Sequence, residues 1–351
     1  MRDLNRTVPW VCAVLAALCT KAETLLYVAP GGQDAWTGRK AETVGPDGPF
    51  ATLQRARDEI RAIKKSGALP EGGVTVLVAA GLYEQHAELE LTQEDSGTDR
   101  ARIVYRAAPR AEVRLTGGRT LTGFVSADAV QLPVTPDPAA KGHLFCLDLK
   151  AQGVSDFGEP GGGWGGFDRN CAELFFNDQP MSLSRWPNGD GLACVVEPLG
   201  TTPVDVRGTK GTKEGCFRYD GDRAARWVNE KDLWCHGWWF WDWADQRQRV
   251  KSISLAEKTI TLAEPHHVFG YRKGQWYYVY NVLSEIDQPG EWCIDRTDGL
   301  LYFWPPAPLE SSRVTLSGLP HLIVMKDASH VTFRGFLLEG TRNTAVVISG
   351  G

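Results

Sequence analysis

The chain has no surplus of basic charge: 38 Lys and Arg stand against 43 Asp and Glu, a formal net charge of −5. Without a basic field to gather phosphates, nucleic acid is excluded as an expected partner. A Cys-x-x-Cys pair is also missing, and neither His266-His267 nor Cys235-His236 has the spacing of zinc ligands, so no metal site is expected. There is no Gly-x-Ser-x-Gly elbow, and His86, His143, His321 and His330 are scattered singly with no nucleophile beside them, which leaves no Ser-His-Asp hydrolase to defend. Gly161, Gly163 and Gly166 match a dinucleotide fingerprint, but they neither follow an apolar strand nor open a helix, and no cofactor is expected.

Long apolar runs are lacking as well. The one candidate, VPWVCAVLAAL, is too short to span a bilayer and follows Arg2 and Arg6, while Thr20 and Ala22 supply small residues at a cleavage site. Residues 1–22 therefore read as a secretory signal peptide cut after Ala22, and the mature chain as secreted, extracellular or periplasmic, without stable membrane insertion. Cys19 invites a lipoprotein reading, which the bulky Leu18 before it disfavours. Six cysteines remain: Cys146, Cys171, Cys194, Cys216, Cys235 and Cys293. Export permits disulfides among them, and burial as free thiols is the plain alternative.

Tryptophan, by contrast, is abundant at 13 residues, and 42% hydrophobic composition suits a folded chain rather than a disordered one. FATLQRARDEIRAIKK at 50–65 predicts a helix, capped by Thr52 and striped by Leu53, Ala56, Ile60 and Ile63. VTVLVAAGLYE, AELELT, RIVYRAA and EVRLTGG then follow as short strands with no helix between them, and RVTLSG, HLIVMKDA, HVTFRGFLLEG and TAVVISG repeat the texture near the C-terminus. Strands this closely spaced suit an all-β coil of roughly 20–25 residues per turn, a parallel β-helix with the helix as its N-terminal lid.

The expected organisation is a cap and first rungs over 23–119, an inserted β-rich sandwich or barrel over 120–306, and resumed rungs over 307–351. The insert holds all six remaining cysteines and eleven of the tryptophans. AELFF-NDQ-PMSLSRW and EWCID-RTDG-LLYFW predict hairpins within it. Ending on VVISGG would leave the last rung open, so the natural protein is expected to continue.

DGPFATLQRARDEIR, EDSGTDRARIVYRAAPRAEVRLTGG, SRWPNGDG, HGWWFWDWADQRQ and NVLSEIDQPGEWCIDRTDGLLYFWPP together resemble secreted right-handed parallel β-helix proteins similar to glycoside hydrolase family 141, which carry an insertion early in the helix. The resemblance implies a hydrolase acting on plant or algal polysaccharide, fucosidase-like or xylanase-like, with an oligosaccharide or polysaccharide as partner. Its catalytic aspartates are expected beyond Gly351, and none is assigned to this chain. A polysaccharide lyase on the same scaffold and a non-catalytic carbohydrate-binding or surface protein are the alternatives.

Among residues of this chain, Glu285 and Asp287 would share a face if extended, as a catalytic pair requires, although Gln-Pro-Gly after them favours a turn. Extended, WCHGWWFWDWADQRQ puts Trp239, Trp241, Trp243 and Asp245 on one face and Trp238, Phe240, Asp242 and Ala244 on the other. Both faces buried between sheets is the plainer outcome, since large aromatics are highly buried on average. The functional alternative is a sugar-stacking row in which Asp245 and Arg247 bind hydroxyls. Arg185 and Trp186 form either a structural corner or an arm of the same groove.

Overall fold

The structure, a computed structural model, describes residues 23–164 and 170–350. The expected signal peptide at 1–22 lies outside these residues. Strands predominate, and Leu53–Ser66 is the single α-helix among the described residues. Of these residues, no helix is long and apolar enough to cross a membrane.

The helix begins where the sequence places its cap. Thr52 Oγ1 accepts from Arg55 N at 3.1 Å, and the Asp34 carboxylate accepts from the backbone N–H groups of Ala51 and Thr52 at 2.9 and 3.0 Å, so the donors around the helix start are satisfied before the helix propagates. Leu53, Ala56 and Ile60 then bury against Leu26 and Phe50, which fixes the helix over the end marked by the first strand.

Three sheets are wholly parallel. One joins Thr24–Val28, Val74–Val78, Ile103–Ala107 and Val331–Arg334; the second joins Gly81–Glu84, Val113–Thr116 and Phe336–Glu339; the third joins Leu89–Leu91, Ile323–Lys326 and Val346–Ser349. The chain visits them in rotation. After Val113–Thr116 in the second sheet, the next strand of the third sheet is Ile323–Lys326, and everything between lies in other sheets. Alternate residues such as Val74, Val76, Val78, Ile103, Tyr105, Val113 and Leu115 point into one core, as a period of two dictates. Tyr105 and Phe333, directly paired between parallel neighbours, stack at 4.8 Å and 8°.

The outermost strands at the end away from the helix, Val331–Arg334, Phe336–Glu339 and Val346–Ser349, leave Leu337 and Ile348 52% and 64% exposed.

The remaining sheets are antiparallel apart from one mixed sheet, so the fold as a whole is β-rich with sheets of both kinds. Their buried cores draw only on residues between Leu121 and Leu316, whereas the parallel sheets' core draws on residues before Gly117 and after Leu319. Of the two expected hairpins, Glu291–Asp295 pairs with Leu300–Phe303 as expected, whereas Leu174–Phe176 pairs back only with Gln179–Pro180, and the rest of its second arm leaves for other sheets, Ser182–Leu183 beside Glu291–Asp295 and Arg185–Trp186 beside Trp276–Tyr280. Charged joints tie the two sets of sheets together. Arg114 reaches both Glu339 (2.7 Å) and Asp178 (2.9 Å), and Arg342 pairs with Asp156, whose carboxyl it holds down to about 2. All six cysteines are free thiols.

Candidate functional site

The site grows from the largest antiparallel sheet. In it Trp234–Gly237 lies between Trp276–Tyr280 and Gln246–Ser254, with Arg185–Trp186 beyond Trp276–Tyr280. Alternation sends Cys235, Tyr277, Val279 and Gln248 into the core. His236, Tyr278 and Arg247, mutually opposite across the three strands, share the other face, which also carries Arg185.

Residues 238–245 are not a strand. They form the loop of a hairpin whose ladder closes at Gly237 opposite Gln246. Trp239 and Phe240 are both fully buried within it, and the backbone bends and turns over 240–243. The loop therefore turns, with Trp239 Nε1 donating to Gln246 O at 2.9 Å across it. Gly237 makes this possible, because a Cβ there would sit 2.7 Å from the Trp239 ring. The expected line of Trp239, Trp241, Trp243 and Asp245 is thus corrected: Trp239 is core, Trp241 is half-buried edge-on to Phe240 at 4.9 Å, and Trp243 projects outward.

Outside, Trp243 and Trp164 are 55% and 51% exposed, with ring centroids 4.9 Å apart, and Phe269 lies 5.5 Å from Trp164 and 5.6 Å from Trp243. Trp164 arrives on the glycine-rich segment. Gly163 bridges Gln246 at φ +157 with no room for a Cβ, which would lie 2.3 Å from Asp245 O, and Trp164 N donates to Asp245 O at 2.8 Å. The glycines are a strap that lays one indole against another.

Beside this aromatic group runs a polar chain. Asp245 Oδ2 lies 2.7 Å from His236 Nε2, and His236 Nδ1 lies 2.7 Å from Tyr278 Oη. A carboxylate only accepts, so in the neutral ring Nε2 carries the proton and Nδ1 accepts from the Tyr278 hydroxyl. Trp238 stacks on His236 at 5.0 Å, and the Arg185 guanidinium sits 3.7 Å above the Tyr278 ring, pinned by Pro187 O and Gly191 O at 2.9 and 2.8 Å. Such an arrangement presents flat rings, fixed donors and fixed acceptors. Asp245 is the carboxylate that begins this chain, and groups of these kinds can hydrogen-bond hydroxyls.

No protein family matches the chain, and no curated protein does. Its fold is nevertheless known. The chain is similar to a solved structure described as "Glycoside hydrolase", at a TM-score of 0.66 and 19% identity, over 90% of this chain and 50% of that one. It therefore spans about half the length of that structure. A second, described as "The complex structure of XylC with xylose", aligns over 91% of this chain and 36% of its own at a TM-score of 0.41 and 13% identity. The first likeness is one of fold, and the second is too distant to add to it.

The other expected site residues lie apart. Trp186 packs 5.4 Å from Trp227 at the edge of the core. Glu285 ends a short 3-10 turn, Leu283–Glu285, and is wholly buried against Arg223 and Trp227, while Asp287 accepts from Asn188 Nδ2 at 2.8 Å on the surface. The two carboxylates face different partners. Trp164, His236 and Phe269 are not among the residues expected at a site, and Tyr278 belongs to the strand Trp276–Tyr280, whose alternation favoured a core role for it.

Near Asp287, burial lifts the Glu291 carboxyl to about 7, although Asp287 N donates to it at 3.0 Å. Its folded pKa lies above the ordinary 4.5, so the native state holds the proton more tightly. The resulting stability is present below about pH 4.5 and lost as pH rises through 7. Urea melts from pH 5 to 8 should show a decline on the order of 1–3 kcal/mol. Glu291→Gln is expected to flatten it, and an unchanged slope in that variant would refute the assignment.

Proposed function

We propose that the chain belongs to a secreted carbohydrate-active enzyme of glycoside hydrolase type acting on plant or algal polysaccharide, and that residues 164 and 234–280 supply a saccharide-binding face. The observation that carries this is the exposed group of Trp164, Trp243 and Phe269, tied by the bond from Trp164 N to Asp245 O to the residue that begins the chain of Asp245, His236 and Tyr278. Indole faces stack on sugar C–H surfaces, and fixed polar groups beside them orient hydroxyls. In this reading the three parallel sheets are early coils of a right-handed parallel β-helix, a hand favoured because crossovers between parallel strands are right-handed in nearly all proteins. The antiparallel sheets are its insertion, entered after Val113–Thr116 and left before Ile323–Lys326. Export, with cleavage after Ala22, is part of the same reading. A fucosidase-like or xylanase-like specificity is the expectation for the whole protein, and the likeness in fold to a glycoside hydrolase is consistent with it.

The test is calorimetric titration with xylan- and pectin-derived oligosaccharides. Trp164→Ala/Trp243→Ala should weaken binding about 10-fold or more, from roughly 0.5–1.5 kcal/mol per ring, while stability changes by less than about 1 kcal/mol because both rings are exposed. Undiminished binding by the double variant, or no binding by the parent chain, would remove the proposal.

A further inference from the structure

We propose that the Arg247 guanidinium makes this face select an anionic saccharide, one bearing a carboxylate or a sulfate. The inference rests on the saccharide reading above and names its substrate class.

Arg247 stands opposite His236, so their Cβ atoms are about 5 Å apart on the same face. Its backbone is doubly fixed, by the ladder to Trp234–Gly237 and by donation of its N–H to Gly162 O at 2.9 Å. The other arginines of this region are occupied. Arg185 donates to two carbonyls and covers Tyr278, Arg249 donates to Lys231 O, and Arg296 is paired with Asp232 at 2.7 Å and donates to Gly158 O at 3.0 Å. Among the described residues the Arg247 side chain has neither a hydrogen bond nor an ion pair, although it is half-buried. The nearest carboxylate in sequence, Asp245, is held at 2.7 Å by His236 and does not neutralise it.

The half-buried stem fixes where the side chain lies while its guanidinium nitrogens reach water, so the fork is open to an anion from solution. The planar fork suits a carboxylate or sulfate through two parallel N–H···O bonds. The formal charge of −5 gives no general attraction to anions, so a preference for them has to be local. The aromatic group adjoins Arg247 through the backbone: Trp164 N donates to Asp245 O, two residues before the arginine, and Gly162 O accepts from Arg247 N.

The experiment compares an oligogalacturonate, a sulfated galactan oligosaccharide and a neutral xylo-oligosaccharide of equal length, by calorimetry at low and moderate salt, on the parent chain, Arg247→Gln and Arg247→Lys. The expected result is that one acidic ligand binds at least about 10-fold more tightly than the neutral one. Arg247→Gln should bring that ratio close to one, and Arg247→Lys should keep part of it; which acidic ligand is preferred tells carboxylate from sulfate. A ratio near one in the parent chain, or a ratio untouched by Arg247→Gln in a variant that melts like the parent, overturns the inference and leaves saccharide binding standing. If no ligand binds at all, both readings fail together.

Discussion

Glu285→Ala is expected to destabilise the folded chain by roughly 3–5 kcal/mol, the loss typical when one partner of a buried ion pair is removed. The carboxylate is fully buried. Arg223 Nε donates to Oε1 at 2.9 Å, Arg223 Nη2 donates to Oε2, and Trp227 Nε1 donates to Oε1 at 2.6 Å. Arg226 lies 3.7 Å from Oε1 and also reaches Asp137 at 2.9 Å. Truncation strands a guanidinium and an indole N–H together, and the size of the effect comes from those orphaned donors rather than from the lost attraction. Glu285→Gln keeps the shape without the charge and should fall between. Urea denaturation of Glu285→Ala, Arg223→Ala and the double variant measures the coupling, expected to exceed about 1 kcal/mol. A loss below that in Glu285→Ala would mean that the carboxylate is not structurally committed and would return it to the catalytic candidates.

Trp239→Ala should be comparably severe, about 3–5 kcal/mol as for other buried aromatic truncations. The ring is fully buried, with Phe217, Tyr271 and Tyr277 centroids at 5.6, 5.4 and 6.1 Å, and its N–H closes the hairpin loop onto Gln246 O. Further along the same loop, Trp243→Ala should change stability by no more than about 0.5 kcal/mol. Chemical melts of the two variants decide the matter: a large gap separates the structural indole from the surface one, and equal losses would show that Trp243 also supports the fold.

That contrast marks where sequence stops informing. Elements specified by local chemistry were legible: the Thr52 cap, the apolar stripe of Leu53, Ala56 and Ile60, the parallel strands from Val74 to Thr116, and the hairpin turning at 296–299. The run of indoles at 238–243 was not, because period-two reasoning assumes an extended chain, and only the meeting with Gly237, Gln246 and the glycine strap at 161–163 shows that it turns. The burial of Glu285 was not legible for a related reason. Its partner Arg223 is 62 residues away, so nothing beside it in sequence announces an ion pair. The extended pairing of Glu285 with Asp287, which Gln-Pro-Gly after them already disfavoured, does not form, since Leu283–Glu285 is a 3-10 turn. Arg185 and Arg247 do share one face of the sheet and Asp245 joins it through His236, but nothing in the sequence marks His236, and alternation marks Tyr278 only as a strand residue.

The most direct measurement is a crystal structure of this chain with a bound oligosaccharide. The account predicts sugar rings against Trp164 and Trp243, with hydroxyl or acidic groups reaching Tyr278 and Arg247. Sugar density confined to another surface, such as the cleft lined by Pro30, Thr52 and Ala87 at the start of the helix, with the tryptophan pair bare, would contradict it.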